Sequence, residues 1–417
     1  MQRQSLPNRG PIGNRILIIA GESSGDLHGA ALVRELLRLR PDLKISGIGG
    51  DAMAAAGVEI ILHASRLSLM GFVEVIGGLR EVFAAFRRVK RFLDQERPDL
   101  VVLIDFPDFN LRVARRARRR GIPVVYYISP QIWAWRQGRI RRIARDVAHM
   151  IVIFPFEEAL YRKHGVPVTY VGHPLMDRFG TLDLEAERRR GFRELGLSPL
   201  YPVVGLFPGS RASEVGRVLP VLLETAALLR ERFPRLQFLL GESPGLDRAI
   251  YDPHLADCAF PVLRVRTGIG PSMAACDLAL VASGTATLEL GALGVPMIVV
   301  YRVSMLTFAL GALLVRVPAV GMVNLVPEKG VVPELIQGEF NAKLLLEHCL
   351  RYLTAATYYF AVKRELGGIR EKLGKPGASA RAARVMIDLL HGAAERPDAA
   401  QTNPGPRDPA EDRNLDG

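Results

Sequence analysis

Short, almost wholly apolar runs punctuate this chain, and segments of helical period lie between them. Arg15–Ala20 (RILIIA), Leu100–Ile104 (LVVLI), Val124–Ile128 and Met150–Ile153 make up a first series. Val203–Phe207 (VVGLF), Phe238–Leu240, Leu278–Ala282 and Met297–Tyr301 make up a second. A strand with one wet face alternates apolar and polar residues, whereas an unbroken apolar run suits a strand buried on both faces. Helices must then cover those faces, so each series predicts a parallel α/β sheet. Between the two series the pattern pauses through the charged stretch Glu185–Glu194. At 417 residues the chain is also too long for one hydrophobic core. Two consecutive α/β halves, split near residues 175–200, satisfy both observations.

Composition excludes other classes. With 49% hydrophobic and 24% charged residues, the chain carries enough apolar surface to fold. Its three cysteines, Cys258, Cys276 and Cys349, are widely spaced and lack metal-ligand spacing, which points to a reducing compartment. No apolar stretch precedes the first strand and no run of about 18 apolar residues occurs, so neither signal peptide nor membrane span is expected. A cytosolic protein is the expectation. From Pro397 onward the sequence is polar and proline-rich, the composition of a disordered tail.

Charge is less ordinary. The net charge is +12, and between Arg80 and Arg145 there are 17 Lys and Arg against 6 Asp and Glu. That concentration suits a polyanionic partner: nucleic acid, an anionic lipid surface or a phosphorylated substrate. An Arg-rich, solvated helix exterior explains it equally well.

Each half opens with a strand that runs into a glycine-bearing loop and then a helix. The loops are Gly21-Glu22-Ser23-Ser24-Gly25-Asp26 and Pro208-Gly209-Ser210-Arg211. Small residues let backbone approach a ligand, and a helix start offers free N–H groups to an anion. Arg211 would suit a phosphate, or is an ordinary exposed Arg. A third stretch, Ser283-Gly284-Thr285-Ala286-Thr287-Leu288-Glu289, could cradle a diphosphate while Glu289 accepts ribose hydroxyls. Taken singly, a capped helix start is the better reading of this stretch. Gly47-Ile48-Gly49 lacks the acidic residue of a dinucleotide-binding fingerprint.

Asp105 closes the LVVLI strand, where α/β enzymes place reactive groups. Asp108 follows, and two carboxylates beside apolar surface can give one a raised pKa suited to a general base. Asp108 or Asn110 is better placed than Asp105 to cap a helix Asn110–Arg120. With no D-x-D and no histidine cluster, no metal site is expected. Both tryptophans, Trp133 and Trp135, fall in one loop with Arg136. They could form a platform for a sugar or acyl chain, or anchor the loop. Leu67–Ile76, containing Met70 and Phe72, leads into a helix with Leu79, Val82, Phe83, Phe86, Val89 and Phe92 on one face. Arg80, Arg87, Arg88, Lys90 and Arg91 lie on the other, as on a membrane-surface helix or a core-facing one. Met305–Val315 is too short to span a bilayer and reads as a buried helix or an acyl-chain contact.

The motifs GESSGDLHG, LSLMGFVEV, IDFPDFN, YISPQIWAWR, FPFE, GHPLMD, LFPGSR and SGTATLE occur in this order. Together they resemble lipid-A-disaccharide synthase, a bacterial glycosyltransferase family of lipopolysaccharide synthesis, over about residues 15–390. The resemblance implies a glycosyltransferase B fold, two Rossmann-like α/β domains facing a cleft. Its expected parts are a flexible leader (1–14), an acceptor- and membrane-side domain (15–175), a linker (176–200) and a UDP-sugar domain (201–360). Helices at 361–392 would pack back on the first domain, ahead of a disordered tail at 393–417.

The implied reaction joins UDP-2,3-diacylglucosamine to 2,3-diacylglucosamine 1-phosphate (lipid X) with inversion, releasing UDP and leaving a β-1′,6 linkage. It needs no cofactor and no metal. Asp105 becomes the base, with Asp108 as runner-up or structural partner. Arg211, Ser283, Gly284, Thr285, Glu289 and Asn324 would hold UDP. Glu22, Ser24, Gly25, Asp26, Met70, Phe72, Trp133, Trp135 and Arg136 would line the acceptor and acyl side. The implied partner surface is the anionic cytoplasmic face of the inner membrane, not nucleic acid; a homodimer is left open. Two competing readings are a UDP-sugar epimerase of related fold and a nucleic-acid binder. The apolar stretches and paired tryptophans weigh against the first, the glycine loops and Asp105 against the second.

Overall fold

The structure, a computed structural model, describes residues 13–65, 75–130, 132, 138–266, 270–304, 319–327 and 329–394. Met70, Phe72, Trp133, Trp135, Arg136, the Met305–Val315 run, and nearly all of the expected leader and tail lie outside the described residues.

Among the described residues, seven strands form one sheet and six another, all parallel. The first holds β1 (Arg15–Ala20), β2 (Lys44–Gly49), β3 (Glu59–His63), β4 (Leu100–Ile104), β5 (Val124–Tyr127), β6 (His149–Val152) and β7 (Val168–Tyr170). Their order is β3-β2-β1-β4-β5-β6-β7. The second holds β8 (Val203–Phe207), β9 (Gln237–Gly241), β10 (Val262–Val265), β11 (Leu278–Ala282), β12 (Met297–Tyr301) and β13 (Glu334–Ile336). Their order is β10-β9-β8-β11-β12-β13.

All eight apolar runs are strands, and β1, β4, β5, β8, β11 and β12 form the buried centres of the two sheets. Ile16–Ala20, Val101–Ile104 and Leu278–Val281 exclude water almost completely. Each such aliphatic side chain contributes about 1.5–3 kcal/mol by burial. Truncating one to Ala would cost about 2–5 kcal/mol, since the packed helices cannot collapse into the gap. The helix Ser23–Leu39 supplies Ala30, Leu32, Val33 and Leu36 to this core.

In both sheets the winding direction reverses beside the first strand, between β1 and β4 and between β8 and β11. Loops diverge there and leave a crevice beyond the strand ends, the place where open α/β sheets bind ligands. The Gly21–Asp26 loop leaves β1 and Asp105 leaves β4; Gly209-Ser210-Arg211 leaves β8 and Ser283-Gly284-Thr285 leaves β11. The four loops singled out from sequence thus occupy the two switch points.

The chain passes between the halves twice, and the passages touch. Gly172 (φ +81°) and Gly374 (φ +89°) meet there: a Cβ on Gly374 would lie 3.3 Å from Gly172 Cα and 2.8 Å from the Tyr170 hydroxyl. Only glycine suits that crossing. Arg381 donates to the Val171 carbonyl at 2.9 and 2.6 Å. Asp177 accepts from Gly377, Ala378 and Ser379 N–H at 2.7, 2.8 and 3.0 Å, capping the helix Ala378–Ala394. That helix packs against Ser23–Leu39 of the first half.

Candidate active site

Asp105 and Phe106 both have left-handed backbone, at φ +45° and +48°, and Ile128 at the end of β5 has φ +63°. Non-glycine residues avoid this region, so neighbouring groups must hold them there. The Asp105 carbonyl accepts from the buried Tyr126 hydroxyl at 2.5 Å and from Asn110 Nδ2 at 2.7 Å; that amide also reaches the Ile104 carbonyl at 3.1 Å. The Phe106 ring lies over Gly21, where a Cβ would stand 2.5 Å from it. The helix therefore begins at Pro107 rather than Asn110, with Phe106 as its uncapped N-cap. Asn110 turns inward to the strand end instead of capping.

Burial pushes the Asp105 carboxyl up to about 7; Glu22 adds to the rise, while the Phe106 N–H and Arg211 oppose it. Asp108 sits differently. It is 72% exposed and ion-paired with Arg139.

From the second half, Arg211 begins the helix Ala212–Arg232. Its guanidinium lies 3.6 Å from Glu214 on that helix and 3.6 Å from Glu22 of the first half. Glu214 also accepts from Ser210 and Arg211 N–H at 2.9 and 3.3 Å, fixing the loop. Gly209 has φ +114°, and a Cβ there would strike the Glu214 carboxylate at 2.4 Å.

Ser283 Oγ donates to the Val320 carbonyl and Thr287 to that of Gly284; neither Ser283 nor Thr285 caps the helix Thr285–Ala292, whose N-cap is Gly284. Gly284 and Thr285 are exposed, leaving an open shelf of backbone. Glu289, half-buried behind it, is pushed up to about 7 by burial, with Arg178 opposing. Among the described residues, no three His, Cys, Asp or Glu side chains stand close enough to hold a metal ion.

Comparison with known proteins decides the family. The family model described as lipid-A-disaccharide synthetase matches residues 16–370. Lipid-A-disaccharide synthase of Geobacter metallireducens is 46% identical over 90% of this chain and 97% of its own. The chain belongs to the lipid-A-disaccharide synthase family. It is a glycosyltransferase of lipid A biosynthesis. The Nitrosococcus oceani synthase is 39% identical over 93% of this chain and 98% of its own. Among solved structures, UDP-GlcNAc 2-epimerase from Neisseria meningitidis bound to UDP-GlcNAc superposes with TM-score 0.59 at 13% identity, covering 91% of this chain and all of the other. The calicheamicin glycosyltransferase CalG4 gives 0.56 at 17%, covering 91% and 98%. These two likenesses establish the shared two-domain α/β fold of glycosyltransferases and epimerases.

Within this synthase fold, Asp105, Glu22 and Arg211 converge on the cleft and Ser283, Gly284 and Thr285 form the shelf at the second switch point, whereas Asp26, Gly25 and Asn324 are turned away. Asp26 is buried and accepts from Gly50, Ala52 and Met53 N–H at 2.7, 3.0 and 3.1 Å, so it caps the helix Asp51–Ala55 rather than facing a ligand. Gly25 is buried 3.3 Å, by its absent Cβ, from Ala20. Asn324 spends its amide on Val331, Val332 and Glu334 and is 3% exposed. It holds a loop. Ser24 is half-buried beside Glu22.

Sequence reasoning assigned no role to Tyr126, Phe106 or Arg178, offered Asn110 as a helix cap, and took Gly21 as one of the small residues of the first loop. For Tyr126, the available signal was a hydroxyl on a strand otherwise buried on both faces.

Proposed function

We propose that the glycosyltransferase moves a diacylated glucosamine from UDP to the 6-hydroxyl of lipid X, with Asp105 as base. The observation that carries this is Asp105 of the first half facing Arg211 of the second. The acceptor O6 attacks donor C1 opposite the diphosphate. The O6–C1 bond forms as the C1–O bond to UDP breaks, its electron pair leaves with the diphosphate, and the O6 proton passes to Asp105. A carboxyl near pKa 7 is substantially ionised at neutral pH yet basic enough for that transfer. Arg211 and the Ser283-Gly284-Thr285 shelf meet the charge that develops on the diphosphate. Glu289 takes the ribose hydroxyls. The neisserial neighbour's bound UDP-GlcNAc is in keeping with a UDP-sugar donor. This reading takes residues 15–175 as the acceptor side and 201–360 as the donor side.

The acyl chains call for a bilayer, and the reading places the first half on the anionic cytoplasmic leaflet. Among the described residues no helix is long and apolar enough to cross a membrane. The helix Val75–Gln95 buries Ala85, Val89 and Leu93, so that face serves the core. Phe83 is nonetheless 58% exposed, and Arg87, Arg88, Lys90 and Arg91 are exposed on the same helix. Arg87, Arg88 and Arg91 line an open groove of about 970 Å³ together with Arg15 and Lys44, an excess of cations over the Glu59 and Glu96 that also line it. Such a face suits lipid phosphates.

The test is to incubate the purified protein with UDP-2,3-diacylglucosamine and lipid X. Equal amounts of UDP and β-1′,6 disaccharide are expected. Epimerised donor, or no disaccharide across several acyl lengths, contradicts the reading. Sedimentation with phosphatidylglycerol vesicles should fall on reversing Arg87, Arg88 and Arg91 to Glu; unchanged sedimentation contradicts the membrane assignment.

A further inference from the structure

The Asp105 carbonyl is held by two side chains that never reach the cleft. Tyr126, on β5, is fully buried and donates to it at 2.5 Å. Asn110, on the helix Pro107–Arg118, is fully buried and donates at 2.7 Å; its own Oδ1 finds no partner among the described residues. An unsatisfied buried amide oxygen is costly and calls for an explanation, and the Nδ2 end of Asn110 supplies one by holding two strand-end carbonyls. In a trans peptide the C=O and the following N–H point opposite ways. Fixing the Asp105 carbonyl inward therefore turns the Phe106 N–H the opposite way, toward the carboxylate side of the strand end, where an N–H dipole favours the ionised form. The paired left-handed residues Asp105 and Phe106 are the cost of that orientation.

We propose that Tyr126 and Asn110 are positioning residues that turn the peptide between Asp105 and Phe106 so that its N–H supports the ionised carboxylate and aims it into the cleft. The inference rests on Asp105 being the base. The charged and titratable groups around that carboxylate are Glu22 from the loop after β1, Arg211 from the start of Ala212–Arg232, and the Tyr126 hydroxyl from β5. Arg139 and Tyr161 act on Tyr126 from behind, and Asp108 is engaged by Arg139. Without the clamp the peptide can relax to ordinary backbone and withdraw its N–H, while burial and Glu22 continue to favour the protonated acid.

The experiment compares Tyr126→Phe, Asn110→Ala, Asp105→Asn and Tyr161→Phe in kcat, KM and the pH profile of kcat/KM. Tyr161→Phe is the control, because it removes a fully buried hydroxyl that bonds Ser129 at 2.7 Å instead of Asp105. Tyr126→Phe should lower kcat by about tenfold or more with KM within about threefold, and move the acidic limb upward by about half a unit or more. Asn110→Ala should act in the same direction and decides the matter if Tyr126→Phe does not fold. Tyr161→Phe should leave the limb in place. An unmoved limb in folded Tyr126→Phe or Asn110→Ala, with Asp105→Asn inactive, overturns the positioning role alone. Retained activity in Asp105→Asn overturns the base assignment, and the positioning role with it.

Discussion

Arg211 reaches from the second half to within 3.6 Å of Glu22 in the first, in an ion pair with both side chains largely exposed. An exposed pair at that distance adds little stability, so breaking it would cost little if Arg211 takes the diphosphate as proposed. Arg211→Ala should raise the donor KM by about 10-fold or more and lower kcat, with Tm nearly unchanged. Arg211→Lys should recover only part of this, because a point charge does not replace a planar fork. Steady-state kinetics against the UDP-sugar check it; an unaltered donor KM in Arg211→Ala counts against the assignment.

Gly21 is required by closeness rather than by φ. A methyl there would stand 2.5 Å from the Phe106 ring and displace the residue that follows Asp105. Gly21→Ala should cut kcat by about tenfold or more, because small misplacements near reacting groups are costly. The protein should remain folded by circular dichroism. Full activity would mean that Phe106 can move without moving Asp105.

The raised Asp105 carboxyl makes a stability prediction of opposite sign to its catalytic value. Its pKa goes from 3.8 to about 7 on folding. Between those values the folded protein holds a proton that the unfolded chain has released, so stability falls as pH rises through the window. About three units at about 1.4 kcal/mol each set a ceiling of about 4 kcal/mol. Asp105→Asn removes that penalty. Urea unfolding should show the variant more stable than wild type by about 1 kcal/mol or more at pH 8, with a smaller difference at pH 5.

His173 and His28 carry the reverse dependence. Burial, chiefly, pushes them down to about 3 and about 4. As pH falls below about 6.5, the unfolded chain gains protons that the folded protein refuses, and stability is lost until the folded values are reached. Whatever His173→Gln costs at pH 7.5, that cost should shrink at pH 5 by up to about 2 kcal/mol. A cost that does not change with pH would show that the ring is protonated where it lies.

Asp177 joins the two passages between the halves by accepting three N–H groups about two hundred residues away in sequence. Asp177→Ala should destabilise the protein by about 1–2 kcal/mol, as lost helix caps do. Thermal unfolding tests this, and no change in Tm would show that Arg381 and the other contacts between the passages hold them without Asp177.

What the sequence made legible was burial on two faces. The central strands announced themselves as apolar runs because both their faces are covered. The unmarked β3, β7, β10 and β13 are the four sheet edges, where half-exposure permits Glu59, Thr169, Arg264 and Glu334. The remaining unmarked strand, β2, was hidden by its glycines. Gly47 is needed because a Cβ there would lie 1.9 Å from the Ile18 carbonyl oxygen, and Gly49 because it packs on Met53. For the site, sequence indicated loops but not directions. Asp26 turns its side chain to N–H groups on the far side of β2, and Asn324 turns its amide to the loop that follows it, neither of which the surrounding motif encodes. Asp105 and Asp108 look interchangeable three residues apart. The left-handed turn at Asp105 separates them, leaving one half-buried at the strand end and the other exposed on a helix with Arg139.

That separation offers the most direct test. UDP and disaccharide formation should be followed with UDP-2,3-diacylglucosamine and lipid X for wild type, Asp105→Asn and Asp108→Asn. Loss of about a hundredfold or more in kcat is expected for Asp105→Asn, with Asp108→Asn within about tenfold of wild type. Near-normal turnover by Asp105→Asn, or a large loss confined to Asp108→Asn, would contradict the account.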